Sequence, residues 1–349
     1  MFLRHGIALV SSILSSYSLV VADTLTPQSL AAKYDLVTST TLPFPAATES
    51  STDTQALLVS DWSLSKGRIQ NGGDDLSFVA DPFPNSPAPG ITSNMTGPAL
   101  QVVYPAGSYS NNTGGAQLYS LWNTTQASGF QSMMLSYEVA FDDGFDWVKG
   151  GKLPGLRGGT SATGCSGGNE ATGFDCFSAR LMWRTNGAGE VYAYIPSPNN
   201  LCSEKTIICN SDFGISISRG SFTFTSGQWN RVTLLVQLNN PVNVANGNIE
   251  LYFNDVQALA QQDLQLRASS NVTAGGIYFS TFFGGSDTSW STPTTTHTYF
   301  RNMVVYGGYT PSTLTGAKVE SSGQSISPDF SVISVVTTLF FAAVGLVGL

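Results

Sequence analysis

Strand-length runs of aromatic and β-branched residues recur along this 349-residue chain, and almost none of it repeats with helical period. The runs fall at residues 77–80, 99–104, 133–141, 222–225, 230–238, 248–253, 276–283 and 299–306. Gly, Asn, Ser and Asp fill the gaps, and these residues accept the backbone angles of tight turns. Runs this short suit strands better than helices. Many short strands with Gly-rich connections predict an all-β chain, an antiparallel β-sandwich of jelly-roll type. The strand-rich region spans 57–308 and shows no internal repeat, a length that one sandwich domain accommodates. Only residues 256–267 carry a pattern that predicts a short helix.

The flanks read differently. Arg4 and His5 precede an apolar run that closes on Val-Val-Ala22, so residues 1–22 read as a secretory signal peptide. Residues 23–56 form a Ser/Thr/Pro-rich segment, and the lack of periodic apolar signal over 36–56 predicts a flexible, O-glycosylated lead-in. A polar linker, 309–331, leads to an uncharged apolar tail, 332–349. The small residues at 321–323, a spacer and a terminal apolar tail form the pattern of a GPI attachment signal. A transmembrane anchor is the alternative, but no Lys or Arg flanks the tail. The expected location is extracellular, with membrane contact only through a lipid anchor, and a monomer is expected. In that setting Cys165 pairs with Cys176 and Cys202 with Cys209 by proximity. Asn94, Asn111, Asn123 and Asn271 stand in glycosylation sequons.

Chemistry concentrates in residues 141–196. Of 15 Lys and Arg, this window holds Lys149, Lys152, Arg157, Arg180 and Arg184, on a chain of net charge -8. Ser178 and Arg180 are one residue apart, and so are Tyr192 and Tyr194; each pair shares a strand face. Thr185-Asn-Gly-Ala-Gly-Glu190 between them predicts a hairpin. A two-residue loop would split the pairs. A three-residue loop, 186–188, sets Arg180 opposite Tyr194 and Met182 opposite Tyr192, leaving Ala179, Leu181, Val191, Ala193 and Ile195 for the core. Either pair alone is ordinarily a solvated strand face; their joint occurrence beside Lys149-Gly-Gly-Lys152 points to a site.

Several chemistries are excluded. His297 is the only histidine beyond the signal region, so a Ser-His-Asp triad has one place to form. There is no nucleophile elbow and no phosphate-cradling loop. Cysteine spacings are not those of zinc sites, so neither metal nor other cofactor is expected, and nothing suggests nucleic acid. Asp142, Asp143 and Asp146 cluster, but they read equally well as a turn, which weakens a two-carboxylate hydrolase. Tyr, Lys, Arg and Ser instead suit β-elimination on a uronate polymer. Cations and hydroxyls stabilise charge moving onto the uronate carboxylate, while a base takes the C5 proton and an acid protonates O4.

The run Trp147-Val-Lys-Gly-Gly-Lys-Leu-Pro-Gly-Leu156, followed by Ser178-x-Arg180 and Tyr192-x-Tyr194, resembles polysaccharide lyase family 14. The resemblance covers residues 62–306 and is strongest over 141–196. It implies a β-jelly roll and a lyase that acts on an acidic polysaccharide, of glucuronan or alginate type, leaving a 4,5-unsaturated uronate end. It implies catalytic roles for Lys152, Ser178, Arg180, Tyr192 and Tyr194, with Lys149 as the alternative lysine. Lys149, Arg157 and Arg184 are the expected substrate contacts, and residues 281–286 an expected cleft wall. Arg180 and Ser178 are expected to neutralise the carboxylate, and the tyrosines to act as base and acid. Lys152 is expected to neutralise charge or to lower a tyrosine pKa. Glucuronan fits an anchored surface protein. A net-negative chain can still hold a polyanion, because a cleft focuses its local charge. The rival expectation is a non-catalytic carbohydrate-binding jelly roll in which Trp62, Trp183 and Trp290 stack on sugar rings.

Overall fold

The computed structural model describes residues 25–90, 97–160, 165–210 and 214–319. The expected signal segment 1–22, Asn94, the expected anchor site at 321–323 and the tail 332–349 lie outside the described residues.

Helix α1 (Pro27–Lys33), strand β1 (Thr38–Thr41) and helix α2 (Ser51–Asp61) lead the chain. Strands β2 (Leu76–Val79), β3 (Ala99–Tyr104), β4 (Ala116–Leu121) and β5 (Ser132–Phe141) come next. Then follow β6 (Gly150–Gly159), β7 (Cys176–Arg184), β8 (Ala188–Tyr194), β9 (Ile207–Asn210) and β10 (Gly214–Thr223). After them come β11 (Trp229–Gln237), β12 (Val244–Ala245), β13 (Gly247–Phe253) and β14 (Val256–Leu264). The last are β15 (Ala274–Phe283), β16 (Thr296–Gly308) and β17 (Ala317–Lys318). One sheet runs β14-β13-β11-β5-β16-β3-β2, with β1 also on β16; the other runs β4-β15-β6-β7-β8-β10-β9. Strands β12 and β17 form a small separate pair. All pairings are antiparallel, so the fold is the expected β-sandwich of jelly-roll type.

The sandwich follows from strand alternation. Leu135, Tyr137, Val139, Leu234, Val236 and Phe300 of one sheet meet Leu153, Leu156, Ala179, Leu181, Val191 and Phe279 of the other in one core. Burying each large apolar side chain contributes about 1.5–3 kcal/mol. A bulge in β6 serves the site as well. Its register against β7 shifts between Leu153 and Gly155, so Pro154 is the extra residue. Leu153 and Leu156 thus both face the core, while Lys152 and Arg157 share the other face. The Pro154 carbonyl accepts from the buried Tyr137 hydroxyl at 2.9 Å.

Three expectations need correction. The β7–β8 loop has three residues but starts one earlier, at Thr185–Gly187, with positive φ at Asn186 and Gly187 (59° and 75°). Arg180 therefore faces Tyr192 and Ser178 faces Tyr194. The slip is two residues, so each side chain keeps its predicted face.

Residues 256–267 hold strand β14, not a helix. Asn254-Asp255, both at positive φ, turn the chain back so that Phe253 pairs with Val256. That tight hairpin commits the following residues to the sheet.

The Ser/Thr/Pro-rich segment is not a loose lead-in. Thr26 caps α1 through Ser29 N at 3.2 Å and Pro27 opens the helix, while Ser50 caps α2 through Asp53 N. Leu30 and Ala31 pack on Met134, Leu235, Tyr252 and Tyr306 of the outer sheet face, and Leu58 and Trp62 enter the main core. The ordered domain thus reaches back to residue 25. Its Ser and Thr include the caps of both helices and the residues of β1.

Candidate active site

Three transverse rows on the free face of the seven-stranded sheet build the site. Phe282, Lys152, Met182 and Glu190 align across β15, β6, β7 and β8. The next row is Gly155, Arg180, Tyr192, Ser216 and Ile208. The third sets Arg157, Ser178 and Tyr194 side by side. A cleft of ≈ 470 Å³ lies over these rows, and Lys152, Arg180, Arg184, Tyr192 and Tyr194 line it.

Lys152 is the lysine of the cleft. Its Nζ lies over the Tyr192 ring, 3.4 Å from the centroid, and donates to Met182 Sδ at 2.8 Å. Burial, then repulsion from Arg180 and Arg184, pushes its pKa well below the ordinary lysine value. Lys149 is exposed, donates to Ser289 Oγ at 2.6 Å and sits 5.8 Å from the Trp290 ring centroid. It stands by the rim, next to a ring that lines the cleft.

Arg180 is held from two sides. Its Nη1 donates to Ser280 Oγ at 3.1 Å, and its guanidinium stacks 4.1 Å from the Tyr278 ring centroid. It is also 5.8 Å from the Tyr194 ring centroid. Strand alternation places Tyr278 and Ser280 on one face of the run 276–283, a signal that the sequence reading left unused.

The phenols do not behave as expected. Burial, the largest effect, raises Tyr192 far above an ordinary phenol, with Tyr194 adding to it and Arg184 and Arg180 opposing. Tyr194 is also raised by burial, against the opposing pull of Arg180 and the Gly168 and Gly167 N–H groups. The cations near the tyrosines do not lower their pKa values overall; the lysine carries the useful downward shift.

Two expected contacts are placed differently. Ser178 is fully buried and donates to the Cys165 carbonyl at 2.7 Å, beneath the loop that walls the cleft. Arg157 lies on the cleft face opposite Ser178 but is 2 % exposed and does not line the cavity. Arg184 does line it, bound to Glu190, while Glu190, Ser216 and Arg219 complete a network that sequence reasoning missed. Glu190 was readable, two residues before Tyr192 on one strand. Arg219 was not, because it sits where the β10 register breaks between Ile217 and Phe222.

Both predicted disulfides form, Cys165–Cys176 and Cys202–Cys209. They anchor opposite walls: Ser166, Gly167 and Gly168 on one side, Ile208 and Asn210 on the other. Phe282, Gly284, Gly285 and Ser286 supply part of a third wall. Gly285 has φ 80°, and an added Cβ would fall 2.1 Å from Trp290 Cγ, so glycine lets that indole lie close. Trp62 and Trp183 are buried in the core and cannot stack on sugars; Trp290 lines the cleft. Asn111 lines the cleft, whereas Asn123 and Asn271 are exposed. His297 pairs with Asp142 at 2.8 Å on the other sheet. Among the described residues, the grouping of metal-type side chains is Cys165, Asp175 and Cys176, and both sulfurs belong to the disulfide.

Comparison places this geometry among known proteins. The family model described as Polysaccharide lyase 14 matches residues 92–303. The marine PL-14 alginate lyase from Aplysia kurodai superposes with TM-score 0.62 and 31% identity, covering 76% of this chain and 98% of that one. The alginate lyase Aly36B superposes with TM-score 0.54 at 20% identity, over 81% of this chain and 98% of its own, a likeness of fold. A mutant of Aly36B in complex with alginate trisaccharide gives TM-score 0.55 at 19% identity, over 77% and 98%. No curated protein sequence matches the chain.

Proposed function

Because the chain belongs to the polysaccharide lyase 14 family, we propose that its cleft cleaves an alginate-type polyuronate by β-elimination, with Lys152 as base and Tyr192 as acid. The alginate assignment draws on the Aplysia kurodai enzyme, which is an alginate lyase. The observation that carries the reading is the stacking of Lys152 over Tyr192, the cross-strand partner of Arg180.

The roles follow from the pKa directions and the positions. Arg180, oriented by Ser280 and Tyr278, meets the sugar carboxylate and stabilises negative charge there as C5 is deprotonated. Lys152, its pKa lowered by burial, presents a neutral amine that takes the C5 proton. The C5–H electron pair becomes the C4=C5 double bond, and the C4–O4 bond breaks. O4 leaves with the proton of Tyr192, whose raised pKa keeps it protonated until the oxygen develops charge. The turn ends with Lys152 as ammonium over the Tyr192 phenolate, and proton exchange between these neighbours restores both. Tyr194 stands beside the acid and helps seat the sugar. Ser178 holds the Cys165 loop and touches no sugar in this scheme.

Every proton moved in this scheme has a protein group at hand. The test is incubation with alginate and glucuronan, read by ultraviolet absorbance of the C4=C5 bond and by product mass. Polymer binding without an unsaturated end would overturn the reading in favour of a sugar-binding protein.

We further propose export and surface attachment. All four cysteines are paired, which suits an oxidising compartment. Among the described residues no helix is long and apolar enough to cross a membrane. Residues 1–22 and 321–349 carry the signal and lipid-anchor patterns. Mass analysis of the secreted protein, before and after phospholipase release, tests both.

A further inference from the structure

A second cationic centre stands in the same cleft. Glu190 is fully buried on β8, two residues before Tyr192 and on the same face. Its Oε1 accepts from Arg184 Nε at 2.9 Å and Nη2 at 2.5 Å, and its Oε2 accepts from Ser216 Oγ and Arg219 Nε, each at 2.7 Å. One carboxylate between two guanidinium groups leaves one positive charge uncompensated within the cluster. Arg184 and Arg219 both line the cleft, with side chains 14% and 40% exposed.

The spacing matters. Met182 and Glu190 pair two residues along β7 and β8 from Arg180 and Tyr192. Two residues of strand advance roughly 7 Å, on the scale of one sugar ring. Building on the lyase reading, we infer that Arg184 and Arg219, held together by Glu190, form a second carboxylate subsite one sugar away from the uronate neutralised by Arg180. The enzyme therefore favours polymers in which uronates follow one another directly.

Glu190 offsets the repulsion between the two guanidinium groups and fixes their planes. A sugar carboxylate that arrives there meets oriented donors and makes charge-assisted hydrogen bonds at little ordering cost. A neutral sugar at that position leaves the pair desolvated and unmatched, which is how a polar site rejects a substrate that lacks its partner group.

The test compares wild type, Arg219→Ala and Arg219→Lys on two substrates. One is a polymer of contiguous uronates; in the other, uronates alternate with neutral sugars. Wild type is expected to favour the contiguous polymer by about tenfold in KM. Arg219→Ala is expected to erase that preference in KM, and Arg219→Lys to recover part of it. Glu190→Gln, if it folds, is expected to raise KM in the same way. An unchanged preference in Arg219→Ala, or a wild type without preference, overturns the inference while leaving the lyase reading intact. If wild type yields no unsaturated product from either polymer, the lyase reading fails and equilibrium binding decides. Tighter binding of the contiguous polymer that is lost in Arg219→Ala keeps the subsite; equal binding removes it.

Discussion

The Lys152 Nζ lies 3.4 Å from the centroid of the Tyr192 ring, over the face of the proposed acid. Burial and the neighbouring guanidinium groups lower the lysine, and burial raises the phenol, so the two titrations move apart. Groups pushed in opposite directions are suited to base and acid roles.

A pH profile of kcat/KM tests this pairing. Activity requires neutral Lys152, so it rises with pH through a folded pKa that lies below the ordinary lysine value near 10.4. Tyr192 keeps its proton beyond the ordinary phenol range, so no alkaline limb is expected near pH 10. Lys152→Arg, always charged, is expected to be inactive across the range. A rising limb that survives this change would remove Lys152 as the base.

The two tyrosines are predicted to differ. Tyr192→Phe removes the donor to O4 and is expected to lower kcat on the order of 10²–10⁴-fold. Tyr194→Phe keeps the ring packed against its neighbour, 5.8 Å between centroids, and is expected to cost about tenfold. Steady-state assay of unsaturated product separates them. Full activity in both variants would end the mechanism.

Arg180→Lys probes geometry at constant charge. The guanidinium is fixed by Ser280 on one side and by the Tyr278 face on the other, and an ammonium reproduces neither contact. A loss of roughly 10²-fold in kcat/KM is expected, about 2.7 kcal/mol. Ser280→Ala should lose less, because the Tyr278 stack remains. Kinetics on one polyuronate for both variants gives the comparison.

The face of each site residue was legible in the sequence; its depth was not. Strand alternation has period two, so Arg180, Tyr192 and Tyr194 reach the cleft even though the hairpin register differs from expectation by two. The same alternation places Ser178 on that face without showing that the Cys165 loop covers it. Burial sets the pKa directions of Lys152 and Tyr192, and burial depends on loops distant in sequence, such as residues 284–290. Ser and Thr before α1 and α2 were misread because their composition matches a linker, while their positions make them caps. Arg219 belongs to a broken register, where periodicity carries no information.

Lys152 should also cost the fold stability. Its folded pKa lies below its unfolded value, so between the two the unfolded chain binds more protons and stability rises with pH. The penalty is full below the folded pKa and is lost as pH passes the unfolded value near 10.4. Lys152→Met keeps a similar shape beside Met182 and the Tyr192 ring while removing the titrating group. At neutral pH the variant is expected to gain about 1–2 kcal/mol, a rise of a few degrees in Tm, and to lose lyase activity. The Tm difference from wild type should narrow as pH rises toward 10. Calorimetry of both proteins across that range checks the sign. A Lys152→Met protein less stable than wild type at neutral pH would mean that the ammonium is favourably solvated in the cleft and unfit to be the base.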